Sequence, residues 1–180
     1  DYCSRRIMEF VSTRNLKKPY TLSNALKLGL AEDSGLFIPS KFPQIENLWA
    51  DDYTSFCEKL LSPFFAGDIL EKNLGEICHN AFNFDLRINF FDESNALLEL
   101  FHGPTAAFKD FGARFLSQCY SHFEETFTIL VATSGDTGGA GAHPCGAGAA
   151  NIALIQITTR AAGGQRDAAD SGDARVRGAG

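Results

Sequence analysis

The order of apolar and polar positions divides the first hundred residues into short elements. Residues 8–13, MEFVST, alternate apolar and polar and predict an edge strand. Behind Thr21, a good N-cap residue, Leu22, Ala25, Leu26 and Leu28 recur at near-helical spacing, and Gly29 is placed to end that helix. Ser34 and Gly35 then turn the chain into the short strand LFIP, which Pro39 closes. Two amphipathic helices are predicted over 52–65 and 68–82, from Phe56, Leu60 and Phe64 and from Ile69, Ile77 and Phe84. Both read as plain packing faces.

From Asn95 the pattern becomes denser. Residues 96–101, ALLELF, are an apolar run of strand length, ended by Gly103 and Pro104. Thr105 is positioned to cap a helix whose face carries Phe108, Phe111, Phe115, Cys119 and Phe123. The run FTILVA at 127–132 reads as a buried strand, and the glycine-rich SGDTGG follows it. Strand, helix and strand predict a βαβ unit, hence an α/β fold with a parallel sheet and flanking helices. In such a unit both strand exits lie on one edge of the sheet. His102–Lys109 and Ser134–Gly139 are therefore expected to face each other at the carboxyl edge, where open α/β sheets bind ligands.

Composition adds limits. Hydrophobic residues make up 44% of the 180 positions, enough for one ordinary core or one and a half small domains. The net charge is −6, and the scattered Lys and Arg residues form no basic stripe, so nucleic acid is not an expected partner. No stretch has the apolar length of a membrane span, and Asp1 to Ile7 lacks the apolar core of a signal peptide, which leaves a cytoplasmic protein as the expectation. Residues 1–7 read as an extension ahead of Met8. Five cysteines (Cys3, Cys57, Cys78, Cys119, Cys145), with no CxxC pair, fit neither a disulfide framework nor a zinc site and are expected reduced and mostly buried. The aromatic residues stop at Phe127 and the lysines at Lys109, while Ala, Gly, Arg and Asp dominate from Gly138 onward.

Within this frame Lys109 is the residue with chemical potential. It is the one charge among Ala106, Ala107, Phe108 and Phe111, in the first turn of its predicted helix. Apolar surroundings and a positive helix terminus both disfavour an ammonium ion, so a neutral, nucleophilic amine is one reading and a lysine snorkelling to solvent is the other. The SGDTGG loop reads either as an anion site, through backbone amides near a helix start, or as a tight β-to-α turn. Asp136-Thr137-Gly138 also spells the DTG of aspartic proteases, but those are all-β and need a second carboxylate. His102 is placed to contact a ligand or to satisfy a loop carbonyl. His79, His122 and His143 have no partner at ligand spacing, so no metal is assigned.

Glu99–Phe111, ELFHGPTAAFKDF, resembles the segment of threonine synthases that carries the lysine for pyridoxal 5'-phosphate (PLP), and Thr128–Gly138, TILVATSGDTG, resembles the next strand and loop of that family. Tyr20-Thr21-Leu22 and Gly35-Leu36-Phe37-Ile38-Pro39 are similar to its N-terminal segment, so the likeness covers roughly residues 8–140. The resemblance implies a fold type II PLP enzyme that converts O-phospho-L-homoserine and water to L-threonine and phosphate. It implies that Lys109 holds PLP and moves protons between substrate carbons, and that Ser134, Gly135, Asp136, Thr137 and Gly138 bind the amino-acid end of the substrate. His102 and Thr105 would shape the pocket around the lysine.

The same resemblance divides the chain into a small N-terminal α/β domain over 8–90, the start of the PLP-dependent domain over 91–155, and an irregular, non-homologous tail over 156–180. Pro144, Gly146 and Gly148 would break the apolar helix that the family places after SGDTG. Residues 141–150 and 156–180 are therefore read as out-of-frame or misread translation, with Asn151–Ile155 again similar to the family's following strand. The family's phosphate-binding loop lies beyond position 180, which makes this an incomplete copy. A non-catalytic relative that keeps only a binding or interaction module is the alternative.

Overall fold

The computed structural model describes residues 7–133, Thr137, Ala140 and 152–158. Two compact units divide between His79 and Asn80.

In the first unit the alternating segment forms β1 (Phe10–Ser12), with α1 (Leu22–Leu28) after it and β2 (Phe37–Pro39) beyond. β1 pairs antiparallel with β2 in the register Phe10↔Pro39, Val11↔Ile38 and Ser12↔Phe37. Thr21 caps α1 as its sequence predicts, its hydroxyl accepting from the Asn24 amide at 3.1 Å. Gly29, at φ 69°, takes the left-handed conformation that ends the helix and donates to the Ala25 carbonyl. Met8, Phe10 and Ala25 form a small core, with Tyr20, Leu22, Phe37 and Phe64 packed around it.

α2 (Tyr53–Phe65) starts behind Asp52, whose carboxylate accepts from the Ser55 amide. The helix predicted over 68–82 is shorter: a 3₁₀ turn at Glu71–Asn73 leads into α3 (Leu74–Ala81). Asp68 is the reason. Its carboxylate accepts from the backbone of Ser23 at 2.9 Å and of Leu70 at 3.0 Å, and also from the Ser23 hydroxyl, so this stretch is tied to α1 rather than wound into a helix. Leu70, Leu74, Ile77, Cys78 and Ala81 are buried, but Ile69, expected on the same face, is exposed. Cys57, Cys78 and Cys119 are buried, as expected, and loss of solvation pushes the Cys78 thiol up to about 12. Cys3 and Cys145 lie outside the described residues.

The turn before β2 carries a pH-sensitive contact. The Asp33 carboxylate accepts from the Ser12 hydroxyl at 2.7 Å and from the Gly35 amide at 2.9 Å, and these bonds, the Ser12 one foremost, hold its pKa below the ordinary carboxylate value near 3.8. A lowered folded pKa gives stability that is present above that ordinary value and lost as pH falls through the folded one. The gap in urea midpoint between the natural chain and Asp33→Asn should therefore be open at neutral pH and close as pH drops below about 4. A gap independent of pH would contradict this.

In the second unit, β3 (Arg87–Phe90) and β4 (Ala96–Glu99) form an antiparallel hairpin, Arg87↔Glu99 to Phe90↔Ala96. Its turn is built by Asp92, which accepts from the amides of Ser94 and Asn95. The hairpin presents Ile88, Phe90, Phe91, Leu97 and Leu98 to solvent. α4 (Lys109–Ser121) follows, then β5 (Phe127–Thr133) and β6 (Ile152–Thr158), which pair parallel from Phe127↔Ile152 to Thr133↔Thr158. α4 touches β6, and its end is joined to β5 by Phe127, whose ring lies 4.6 Å from Tyr120 and 5.7 Å from Phe123.

Parallel pairing is thus present, one strand later than the sequence predicts. Among the described residues the expected β4–α4–β5 unit does not close on one sheet, because the short turn at 91–95 lets β4 pair with β3 instead. β6 runs through Gln156–Thr158, into the stretch expected to be irregular. Residues 141–151 and 159–180 lie outside the described residues. Among the described residues no helix is long and apolar enough to cross a membrane.

Candidate active site

Lys109 opens α4, and the nine residues between β4 and it form the loop that decides where it sits. β4 ends at Glu99, whose carboxylate meets His102 Nε2 at 2.5 Å and also accepts from the Asn89 side chain. The pair is partly buried, and the imidazole lies against the Phe101 ring at 4.8 Å. His102 is thus held by a carboxylate and an aromatic face, not by a loop carbonyl.

Thr105 does not cap α4. The helix begins four residues later, behind Phe108, with no side-chain cap. Instead the Thr105 amide and hydroxyl both donate to the Asp110 carboxylate, at 2.9 and 2.8 Å. Capping is reversed: an acid in the first turn reaches back to the loop, satisfying an amide ahead of the helix. Asp110 is fully buried. A Cβ on Gly103 would lie 2.4 Å from Asp110 Oδ2, so only glycine permits this approach. Between them the Ala106 amide donates to the Gly103 carbonyl, and Ala106 sits at φ 55°, a left-handed conformation that non-glycine residues rarely adopt.

One turn along, Arg114 is also buried. It donates to the carbonyls of Ala81 (2.8 Å) and Asn80 (2.7 Å) and to the Asn83 side chain (2.6 Å), with its guanidinium 5.7 Å from the Phe84 ring. Burial lowers its pKa, and the Asp110 charge partly offsets that. Phe111 and Phe115 pack on Phe82 and Phe84, and Cys119 and Phe123 are buried, so the predicted apolar face holds from Phe111 onward. Phe108 falls off it. Its ring is exposed, and the Lys109 Nζ lies over it at 5.0 Å, a cation–π distance.

Lys109, Thr105 and His102 thus lie in one segment, in which Asp110 holds Thr105 and Glu99 holds His102. Thr137 is helical and half-buried, whereas Ser134, Gly135, Asp136 and Gly138 lie outside the described residues. Asp110 and Arg114 escaped the sequence reading. Their signal is an acid and a base at i and i+4, which places them side by side on one helix face. No group of three or more metal-ligating side chains forms among the described residues.

The segment places a primary amine at the first position of a helix. Residues 9–82 match the family described as "Threonine synthase N terminus". The threonine synthase of Buchnera aphidicola subsp. Schizaphis graminum is 39% identical over 145 residues, which cover 76% of this chain and 34% of that one. Among solved structures, threonine synthase from Escherichia coli superposes with a TM-score of 0.77 at 34% identity, covering 85% of this chain and 37% of that chain. A PLP-bound threonine synthase from Brucella melitensis superposes at 0.73 with 34% identity, over 84% of this chain and 35% of that one. The chain spans about a third of the length of the relatives it matches. In sequence and in backbone, the chain is similar to the N-terminal third of threonine synthases.

Proposed function

We propose that this chain is the N-terminal part of a cytoplasmic, PLP-dependent threonine synthase, a lyase that turns O-phospho-L-homoserine and water into L-threonine and phosphate. The observation that carries the reading is Lys109 at the first position of α4, behind a loop whose Thr105 is pinned by a buried carboxylate. Lys109 is the only lysine after Lys72, so it is the one side-chain amine the second unit offers to an aldehyde. The residues present thus fit the aldehyde end of PLP, which when bound supplies an electron sink.

In this reading Lys109 holds the cofactor and moves protons between substrate carbons. His102 and Thr105 shape the wall beside it. Ser134, Gly135, Asp136, Thr137 and Gly138 bind the amino-acid end of the substrate through backbone amides and a hydroxyl. Residues 8–90 make up the N-terminal domain, 91–155 open the catalytic domain and 156–180 form a tail unlike the family.

The test uses the complete protein. PLP-loaded protein should show a visible absorbance that borohydride removes, and should release phosphate from O-phospho-L-homoserine. Phosphate release without that absorbance would speak against the role of Lys109. A protein that takes up no PLP would favour a non-catalytic binding module.

A further inference from the structure

We infer that Asp110 is a positioning residue for Lys109: its carboxylate locks the loop from which the lysine leaves, and so sets where the amine points. The inference rests on the reading of Lys109 as the PLP-bearing residue. It goes beyond that reading by assigning a role to a side chain that does not itself touch the cofactor.

Three observations converge on Asp110. It is fully buried although ionisable, a placement that burdens stability unless the group is well bonded. Both bonds found to its oxygens come from Thr105, one from the amide and one from the hydroxyl, so the carboxylate reads the position of a single loop residue twice. Between Thr105 and Asp110 lies Ala106 at φ 55°. A non-glycine residue in that region costs free energy and persists only where its surroundings over-determine it.

Gly103 completes the lock, since any side chain there would occupy the space the Asp110 carboxylate fills. An ordinary first-turn acid would stay exposed and act through the helix dipole alone. Asp110 instead points back beneath the loop and clamps it. Lys109, its chain neighbour, leaves the same turn on a backbone fixed to within hydrogen-bond tolerance, the preorganisation that an attacking amine needs.

The experiment compares Asp110→Asn, Thr105→Val and Thr105→Ser in the complete protein. The main readout is the rate at which PLP becomes fixed to Lys109, trapped with borohydride and assigned by peptide mass. A second readout is acetylation of Lys109 by acetic anhydride in PLP-free protein, and a third is the melting temperature. Asp110→Asn and Thr105→Val are each expected to slow fixation by about 10-fold or more, as misplacement of a reacting group does. Thr105→Ser, which keeps the hydroxyl, should restore the natural rate.

A double variant no slower than Asp110→Asn alone would show that the two residues act as one unit. Natural rates in Thr105→Val and in a folded Asp110→Asn would overturn the positioning role while leaving the PLP reading intact. If Asp110→Asn does not fold, the contrast between Thr105→Val and Thr105→Ser decides. Natural protein that fixes no PLP at Lys109 overturns both readings.

Discussion

Replacing Lys109 with alanine is expected to leave the fold intact, abolish the borohydride-sensitive absorbance and cut phosphate release by at least about 10³-fold, within the range that a positioned proton-transferring side chain supplies. The fold should survive because Asp110 and Arg114, the buried charged groups of α4, keep their hydrogen bonds in the variant. Activity should not survive because the amine read as holding PLP is removed from the loop that Asp110 fixes. Absorbance spectra and phosphate assays on the two proteins side by side check the point. A variant that keeps both signals would remove Lys109 from the mechanism and shift attention to an amine elsewhere in the complete protein.

Arg114→Ala carries the largest expected loss of stability. The guanidinium donates to two backbone carbonyls and one amide oxygen in a buried setting. Its removal leaves those acceptors without a charged donor and opens space beside Phe84. Together these effects should cost on the order of 3 kcal/mol, equivalent to a fall in melting temperature of roughly 10 °C or more for a domain of this size. Lysine at the same position should recover less than half of the loss, since a single ammonium cannot span acceptors that a planar fork reaches at once. Thermal melts followed by circular dichroism measure both. A shift smaller than that of an ordinary surface substitution would mean that the three bonds contribute little in solution.

Elements governed by local chemistry were legible in the sequence. Thr21 and Gly29 bound α1 because a cap hydroxyl and a left-handed glycine act within a few residues. β2 and β5 emerged where short apolar runs meet turn residues. What escaped depends on partners far along the chain. Asp68 shortens the second of the two predicted helices only because Ser23, 45 residues earlier, folds against it. Thr105 looks like a cap in sequence, yet Asp110 captures both its amide and its hydroxyl, and α4 starts late. The pairing of β4 was misjudged for a similar reason: strand type was readable, but the choice between β3 and β5 as neighbour is a tertiary one. Lys109 was found because it stands alone in an apolar setting, whereas its support was hidden in residues that look like an ordinary helical charge pair.

The β3–β4 ribbon has a practical consequence. Ile88, Phe90 and Leu98 share one face of this ribbon and Leu97 stands on the other, so among the described residues both faces carry exposed apolar side chains. Two strands alone gain little from pairing, and such surface lowers solubility when nothing covers it. Phe90→Lys and Leu97→Lys, one charge on each face, should raise the solubility of this chain handled by itself.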